Sequence, residues 1–227
     1  MAEDRVRQQF RAELSRLESL TLGALELVTE ALDRVMEAVH HRDIELAARV
    51  VLEDDGIDAR YLEVHRGILS LLALQAPVAV DLRLVAGLLH VIKHAERMGD
   101  QCVNIAKVLP LSGHDPPVHA SILDRVEEMG RCARSQVSQA KHAFHLRDVE
   151  LAKDLVRQDA RINELNRQCF RVAVEIGDDS DVREWAMTMM LIARALERIG
   201  DNAVDIGEQV AFVVTGLFRE FSDASRA

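Results

Sequence analysis

Glu96, Asp100 and Asn104 follow one another at intervals of four, and Glu197, Asp201 and Asp205 repeat the arrangement about one hundred residues later. Each trio belongs to the same short motif, Glu-Arg-x-Gly-Asp followed by Asn or Asp, at Glu96–Asn104 and Glu197–Asp205. In a helix such intervals set three side-chain oxygens in a row along one side. Rows of oxygen suit hard cations such as Mg2+ or Mn2+, or iron. The cost argues for purpose: adjacent acids repel by a few tenths of a kcal/mol, and a mid-helix glycine costs about 1 kcal/mol against alanine. A stretch that breaks two local rules, twice, reads as a site rather than a scaffold.

With Glu96 as origin of a helical wheel, Asp100 falls at about 40° and Asn104 at about 80°. Val85, Leu89, Ile92, Gly99 and Val103 fall on the same side, and Ala186, Met190, Ala193, Gly200 and Val204 flank the second row. The acids therefore sit on or beside the apolar face, where a carboxylate needs a cation, a hydrogen-bond network or a raised pKa. Gly99 and Gly200 let a neighbouring helix or an ion come close. The plainer alternative is a solvated face, with Arg97 and Arg198 pairing the acids across helices. A ferritin-type redox centre would need histidine three residues after each glutamate, where Gly99 and Gly200 stand, so that enzyme class is disfavoured. His90 and His94 are four apart but off the acid row, which suits a helix interface better than metal ligation. His40, His41, His142 and His145 cluster at helix ends and are expected to be exposed. No phosphate-cradling glycine loop, nucleophile elbow or Cys–His pairing is readable.

The elements that position these rows are helices. Aromatic residues make up only 4% of the 227-residue chain, with four prolines, and such a composition favours helix over sheet. Six helices are expected. The first spans about 5–40, with Leu14, Leu17, Leu25, Val28, Leu32 and Val35 at helical spacing. A second runs from an Asp43 cap to about Gln75, and a third has Pro77 in its first turn and ends near Pro110. After a loop, Asp115 and Pro116 open a fourth that ends near His145. Asp148 caps a fifth, ending near Gly177, and Asp179 or Ser180 opens a sixth that reaches about Phe218.

The two halves repeat each other. His41–Ala47 matches Leu146–Ala152, and Asp54, Ile57 and Asp58 match Asp159, Ile162 and Asn163, all 105 residues apart. Repeats outrank local pattern. The expected architecture is all-α: two tandem, pseudo-symmetric three-helix bundles, residues 1–112 and 113–227, side by side or fused along their length. The net charge of −10 argues against nucleic acid as partner. Cys102, Cys132 and Cys169 lie in no zinc-like spacing and suit a reducing, cytoplasmic setting. The N-terminus lacks signal-peptide character and the apolar runs are too short to span a bilayer, so any membrane contact would be peripheral, through partners.

These residues resemble one family, PhoU, the phosphate-transport and phosphate-signalling regulators of bacteria and archaea. The likeness rests on Asp81-Leu-Arg83, the two Glu-Arg-x-Gly-Asp motifs with Val103-Asn-Ile-Ala106 and Val204-Asp-Ile-Gly207, and the closing Phe212–Gly216. It implies a non-enzymatic negative regulator that couples a phosphate ABC transporter ATPase to a sensor histidine kinase. Long amphipathic helices leave apolar stripes to cover, for which a homodimer is expected. The resemblance also implies metal clusters of Fe, Zn, Mn or Mg on the bundle surface. The ligands so implied are Glu96, Asp100, Glu197 and Asp201, then Asn104 and Asp205, with Asp54, Asp58 and Asp159 contributing from the second and fifth helices. Many members carry histidine after the motif aspartate, where Gln101 and Asn202 stand here. The half with more acids is expected to hold its ion more tightly. The competing readings are a carboxylate-bridged metal enzyme and a metal-free helical scaffold or permease subunit.

Overall fold

A computed structural model describes residues 2–113, 118–218 and 220–221. Among them every regular element is helical: α1 (Ala2–His41), α2 (Ile44–Glu53), α3 (Asp55–Leu74), α4 (Ala79–Val108), α5 (Ala120–Leu146), α6 (Val149–Glu175) and α7 (Ser180–Thr215), with a short 3-10 turn at Leu109–Ser112. Six long helices are present if α2 and α3 are counted as one interrupted rod.

That interruption is the main departure from expectation. The rod breaks at Asp54, whose carbonyl accepts from both Ile57 N (2.9 Å) and Asp58 N (3.2 Å), tightening the turn. The cause is Asp54-Asp55-Gly56, three residues of low helix propensity in succession. At the corresponding positions of α6 stand Asp159-Ala160-Arg161, and that helix runs unbroken.

The matching turns between helices are built alike. Arg42 (φ 57°) and Arg147 (φ 58°) both adopt the left-handed conformation usually left to glycine. Asp43 N then reaches back to Ala38 O (2.9 Å) and Asp148 N to Ala143 O (3.0 Å), closing each helix end by the same six-residue return. Asp43 and Asp148 next cap the following helices, accepting from Leu46 N and from Glu150 N and Leu151 N respectively. Asp179 caps α7 through Asp181 N and Val182 N, and Gly216 ends it. Two expected starts differ. Pro77 precedes α4 and its cap residue Val78, because Gln75 to Val78 is extended rather than helical. Helix α5 opens after His119, which makes no capping bond, while Asp115 and Pro116 lie outside the described residues.

Helices α1, α3 and α4 pack together, as do α5, α6 and α7, and the two sets are joined along α1–α5 and α4–α7. The α4–α7 seam is antiparallel: Arg83 lies against Gly216, Gly87 against Val213, and His94 against Asn202. One apolar cluster runs through both sets, including Leu25, Leu32, Leu88 and Ile92 with Met129, Phe144, Leu196 and Ile206. The halves are fused along their length rather than set side by side.

Candidate metal centres

Each acid row forms the rim of a seam between the motif helix and the helix that precedes it. In the first half, Gly99 of α4 faces the α2–α3 break. A methyl group at Gly99 would lie 3.1 Å from Asp54 Oδ1 and 2.9 Å from Ile57 Cδ1, so the missing side chain is what lets the Asp54 carboxyl sit against the motif. Asp54 is half-buried, and its pKa is pushed up to about 6 by desolvation first, then by Asp58, Asp100, Asp55 and Glu96. Asp100 is raised for the same reasons, burial ahead of Glu96 and Asp58, with Lys93 and Lys107 pulling the other way. Sequence reasoning named Asp54, Asp58, Glu96 and Asp100, and the fold brings all four into one electrostatic neighbourhood. Asp55, which adds a smaller repulsion to Asp54, it missed, because this acid stands at the helix break and outside the repeated pattern.

Asp100, Asn104 and Asp58 are exposed and Glu96 half-buried, so the row rides the edge of the apolar face rather than its middle. Glu96 takes both carboxylate oxygens to Lys93 Nζ, at 2.7 Å each. Behind Asp54 lies a small cavity of ≈ 30 Å3, bounded by Ala31, Arg34, Gly99 and Cys102, large enough for water. Arg34 pairs with Glu53 at 2.7 Å, yet its Nε is buried with no protein acceptor. The Cys102 thiol, fully buried, is pushed up to about 12 by desolvation and is inert.

In the second half, Gly200 of α7 faces Asp159 of α6. A methyl group there would lie 2.8 Å from Asp159 Oδ1, 2.8 Å from Gln136 Oε1 and 3.2 Å from Ile162 Cδ1. Asp159 is buried and accepts from Asn163 Nδ2 (2.7 Å). Glu197 accepts from Asn166 Nδ2 (2.9 Å) and pairs with Arg194. Asp201 is exposed at the rim. Asp205 leans the other way, to the α4–α7 seam, where one of its oxygens lies 3.5 Å from His94 Nδ1.

The two glutamates are paired within their own helices, by Lys93 and Arg194 one turn before each, rather than across helices by Arg97 and Arg198 as the plainer alternative had it. His94 is buried at the seam, its Nδ1 2.8 Å from Asn202 Oδ1, and desolvation lowers its pKa. That is an interface role, as its position off the acid row suggested. His40, His41, His142 and His145 are exposed. Among the described residues no three His, Cys, Asp or Glu side chains close into a ligand cage, since Glu96 and Glu197 are turned toward their cations.

Taken together, the site and fold define an all-helical, internally repeated protein that carries one carboxylate row per repeat. The PhoU domain model matches this chain twice, at residues 22–109 and 126–210. The chain belongs to the PhoU family. It is 33% identical over 208 residues to the phosphate-specific transport system accessory protein PhoU homolog of Zymomonas mobilis, covering 91% of this chain and 87% of that one. It is 29% identical to the phosphate-specific transport system accessory protein PhoU of Serratia marcescens, across 92% and 85% of the two chains. Among solved structures, the phosphate transport system regulatory protein PhoU from Streptococcus pneumoniae superposes with a TM-score of 0.85 at 25% identity, over 92% of this chain and 99% of that one. PhoU from Pseudomonas aeruginosa does so with the same TM-score at 27% identity, over 92% and 100%.

Proposed function

We propose that this chain is a negative regulator of phosphate uptake and of the phosphate-starvation response. It acts as a cytoplasmic, metal-binding adaptor between a phosphate ABC transporter ATPase and a sensor histidine kinase. Family membership supports the phosphate-transport part of this reading, because the relatives are accessory and regulatory proteins by name rather than enzymes. Among the described residues no helix is long and apolar enough to cross a membrane, and in this reading the chain meets the membrane only through its partners, as a homodimer.

The observation that carries the metal part is the setting of Asp54: a half-buried carboxyl packed against Gly99, its pKa pushed up to about 6 by desolvation first and then by four neighbouring acids. Such a group is short of positive charge. The donor set fits a hard cation, since Asp54, Asp58, Glu96, Asp100 and Asn104 offer oxygen alone; this favours Mg2+, Mn2+ or iron over zinc, which prefers nitrogen and sulfur. In the second half Asp159, Glu197, Asp201 and Asp205 would serve. Bound there, a cation would supply charge neutralisation and fix the motif helix against its neighbour. Glu96 would have to release Lys93, a partly exposed pair one turn apart that contributes about 1 kcal/mol. Metal analysis of the purified protein, beside a variant carrying Glu96→Ala and Asp100→Ala, tests the site: the parent is expected to retain metal and the variant to lose it. Deletion of the gene under phosphate-rich conditions is expected to derepress a phosphate-starvation reporter; an unchanged reporter would remove the regulatory role.

A further inference from the structure

A groove of ≈ 450 Å3 runs along the outer face of α5 to the start of α6, within the size range of small-molecule sites. Arg131, Ser135, Ser138 and His142 line it at intervals that share one helix side, with Arg134 beside them. No carboxylate lines the groove, although the chain carries a net charge of −10. The repeat makes this informative. The corresponding positions of α1 hold Glu26, Thr29, Glu30, Asp33 and Glu37, so the same face of the same fold is acidic in one half and basic in the other. The fold does not require basic residues there.

The donors are partly fixed in place. Asp33 holds Arg134 by its Nε alone, at 2.7 and 2.9 Å, and a guanidinium has five N–H donors to give. Arg131 comes only within 4.0 Å of Glu127 and keeps a 69% exposed side chain. Gln139 Nε2 is tied to Leu151 O (2.9 Å) and Asp154 Oδ2 (3.1 Å), which steadies the wall between α5 and α6. The Asp154 carboxylate is further occupied by Arg157 and Gln158. Arg131, Arg134 and Ser135 stand within about one turn of α5, and two guanidinium groups beside a hydroxyl match a tetrahedral oxyanion, which accepts many bonds at once. Leu151, beside Gln139, adds an apolar wall next to this cluster, and Leu146 lies at the far end of the groove.

We propose that this groove binds a phosphoryl oxyanion at Arg131 and Arg134, either free phosphate or a phosphate ester of a small organic group that lies against Leu151. It does so independently of the carboxylate rows. Titration calorimetry on the full chain in the presence of chelator, with inorganic phosphate and with phenyl phosphate as probes, tests it. Binding is expected at millimolar concentrations or below, weakening as salt is raised, with at least a tenfold loss in the double variant Arg131→Gln, Arg134→Gln. Lys153→Gln, on the exposed side of α6, is expected to bind as the parent does. Tighter binding of phenyl phosphate identifies an ester as the ligand, and equal binding identifies phosphate itself. Absence of binding by both probes overturns the proposal, as does a double variant that is helical by circular dichroism and binds undiminished.

Discussion

The two halves build the same seam and then fill it differently. Around Gly99 the neighbours are charged: Asp54, Asp55, Asp58, Glu96 and Asp100, with Arg34 and Glu53 behind. Around Gly200 amides have taken those places. Gln136 stands where Ala31 does, Gln139 where Arg34 does, Gln158 where Glu53 does and Asn163 where Asp58 does. Most of the amides bond to their neighbours: Gln136 Nε2 donates to Leu155 O (3.2 Å), Gln158 Nε2 to Gln139 Oε1 (2.7 Å), and Asn163 to Asp159, while Gln136 Oε1 is buried with no partner. One seam therefore keeps more acid around Asp54 than Lys93 and Arg34 pair, and in the other neutral amides stand at several of the matching positions. A duplicated backbone motif fixes where the acids stand; whether they still need a cation depends on residues outside the motif.

The largest effect that could break this contrast is in cation affinity. Titration of chelated protein with Mn2+ is expected to resolve two classes of site. Glu96→Ala with Asp100→Ala should abolish the tighter class, and Glu197→Ala with Asp201→Ala the weaker. A difference of at least tenfold is anticipated, because charged ligands raise affinity and amides do not. Equal affinities would mean that the amide network leaves the second row as needy as the first.

Next in size are the glycines. Gly200→Ala should destabilise the protein by about 1–3 kcal/mol, because the new methyl meets Gln136 Oε1 and Asp159 Oδ1, whose side chains are anchored by Gln136 Nε2 donating to Leu155 O and by Asn163 donating to Asp159 Oδ2. Gly99→Ala meets chiefly the flexible tip of Ile57 and Asp54 Oδ1, and the roughly 1 kcal/mol gain in helix propensity should cancel most of the cost. Urea unfolding of both variants measures the difference.

Acid dependence sharpens the picture of the first half. Asp54 has a pKa of about 6 in the folded chain against an ordinary value of 3.8. The folded state holds its proton more tightly, so the contribution to stability is complete below about pH 4 and is lost as pH rises through 6. In chelated protein Asp54→Asn should therefore stabilise near pH 8, by about 1 kcal/mol once solvent screening of this half-exposed site is allowed for. The gain should vanish in acid and be reversed when a tightly bound cation is present. The smallest effects are at the caps: Asp148→Ala and Asp43→Ala should each cost about 1 kcal/mol. Asp148 is expected to cost slightly more, since it satisfies two amides and Asp43 one.

Much of this was legible beforehand because it is local or periodic. The repeated motif, the caps at Asp43, Asp148 and Asp179, the apolar stripe of α1 and the exposed terminal histidines all follow from spacing and propensity. The break at Asp54 is signalled only by Asp55-Gly56, while Ala47, Val50, Ile57, Val64 and Ile68 keep a helical spacing across it. Lys93 and Arg194 could have been recognised as partners of Glu96 and Glu197 from the three-residue interval within one helix. Gln136, Arg34 and the α5 groove could not. Their roles depend on which rotation α1 and α5 adopt against the motif helices, and no single helix carries that information.

The shared apolar interior has a consequence for how this polypeptide could be divided. Cutting the backbone near Gly113 would leave each fragment with an uncovered stripe along α4 or α7 that the other normally shields. Neither piece should melt as an independent body. Mixed together they should find one another and restore a single sharp unfolding transition, so that the ancestral duplication survives as two sequences but only one cooperative unit.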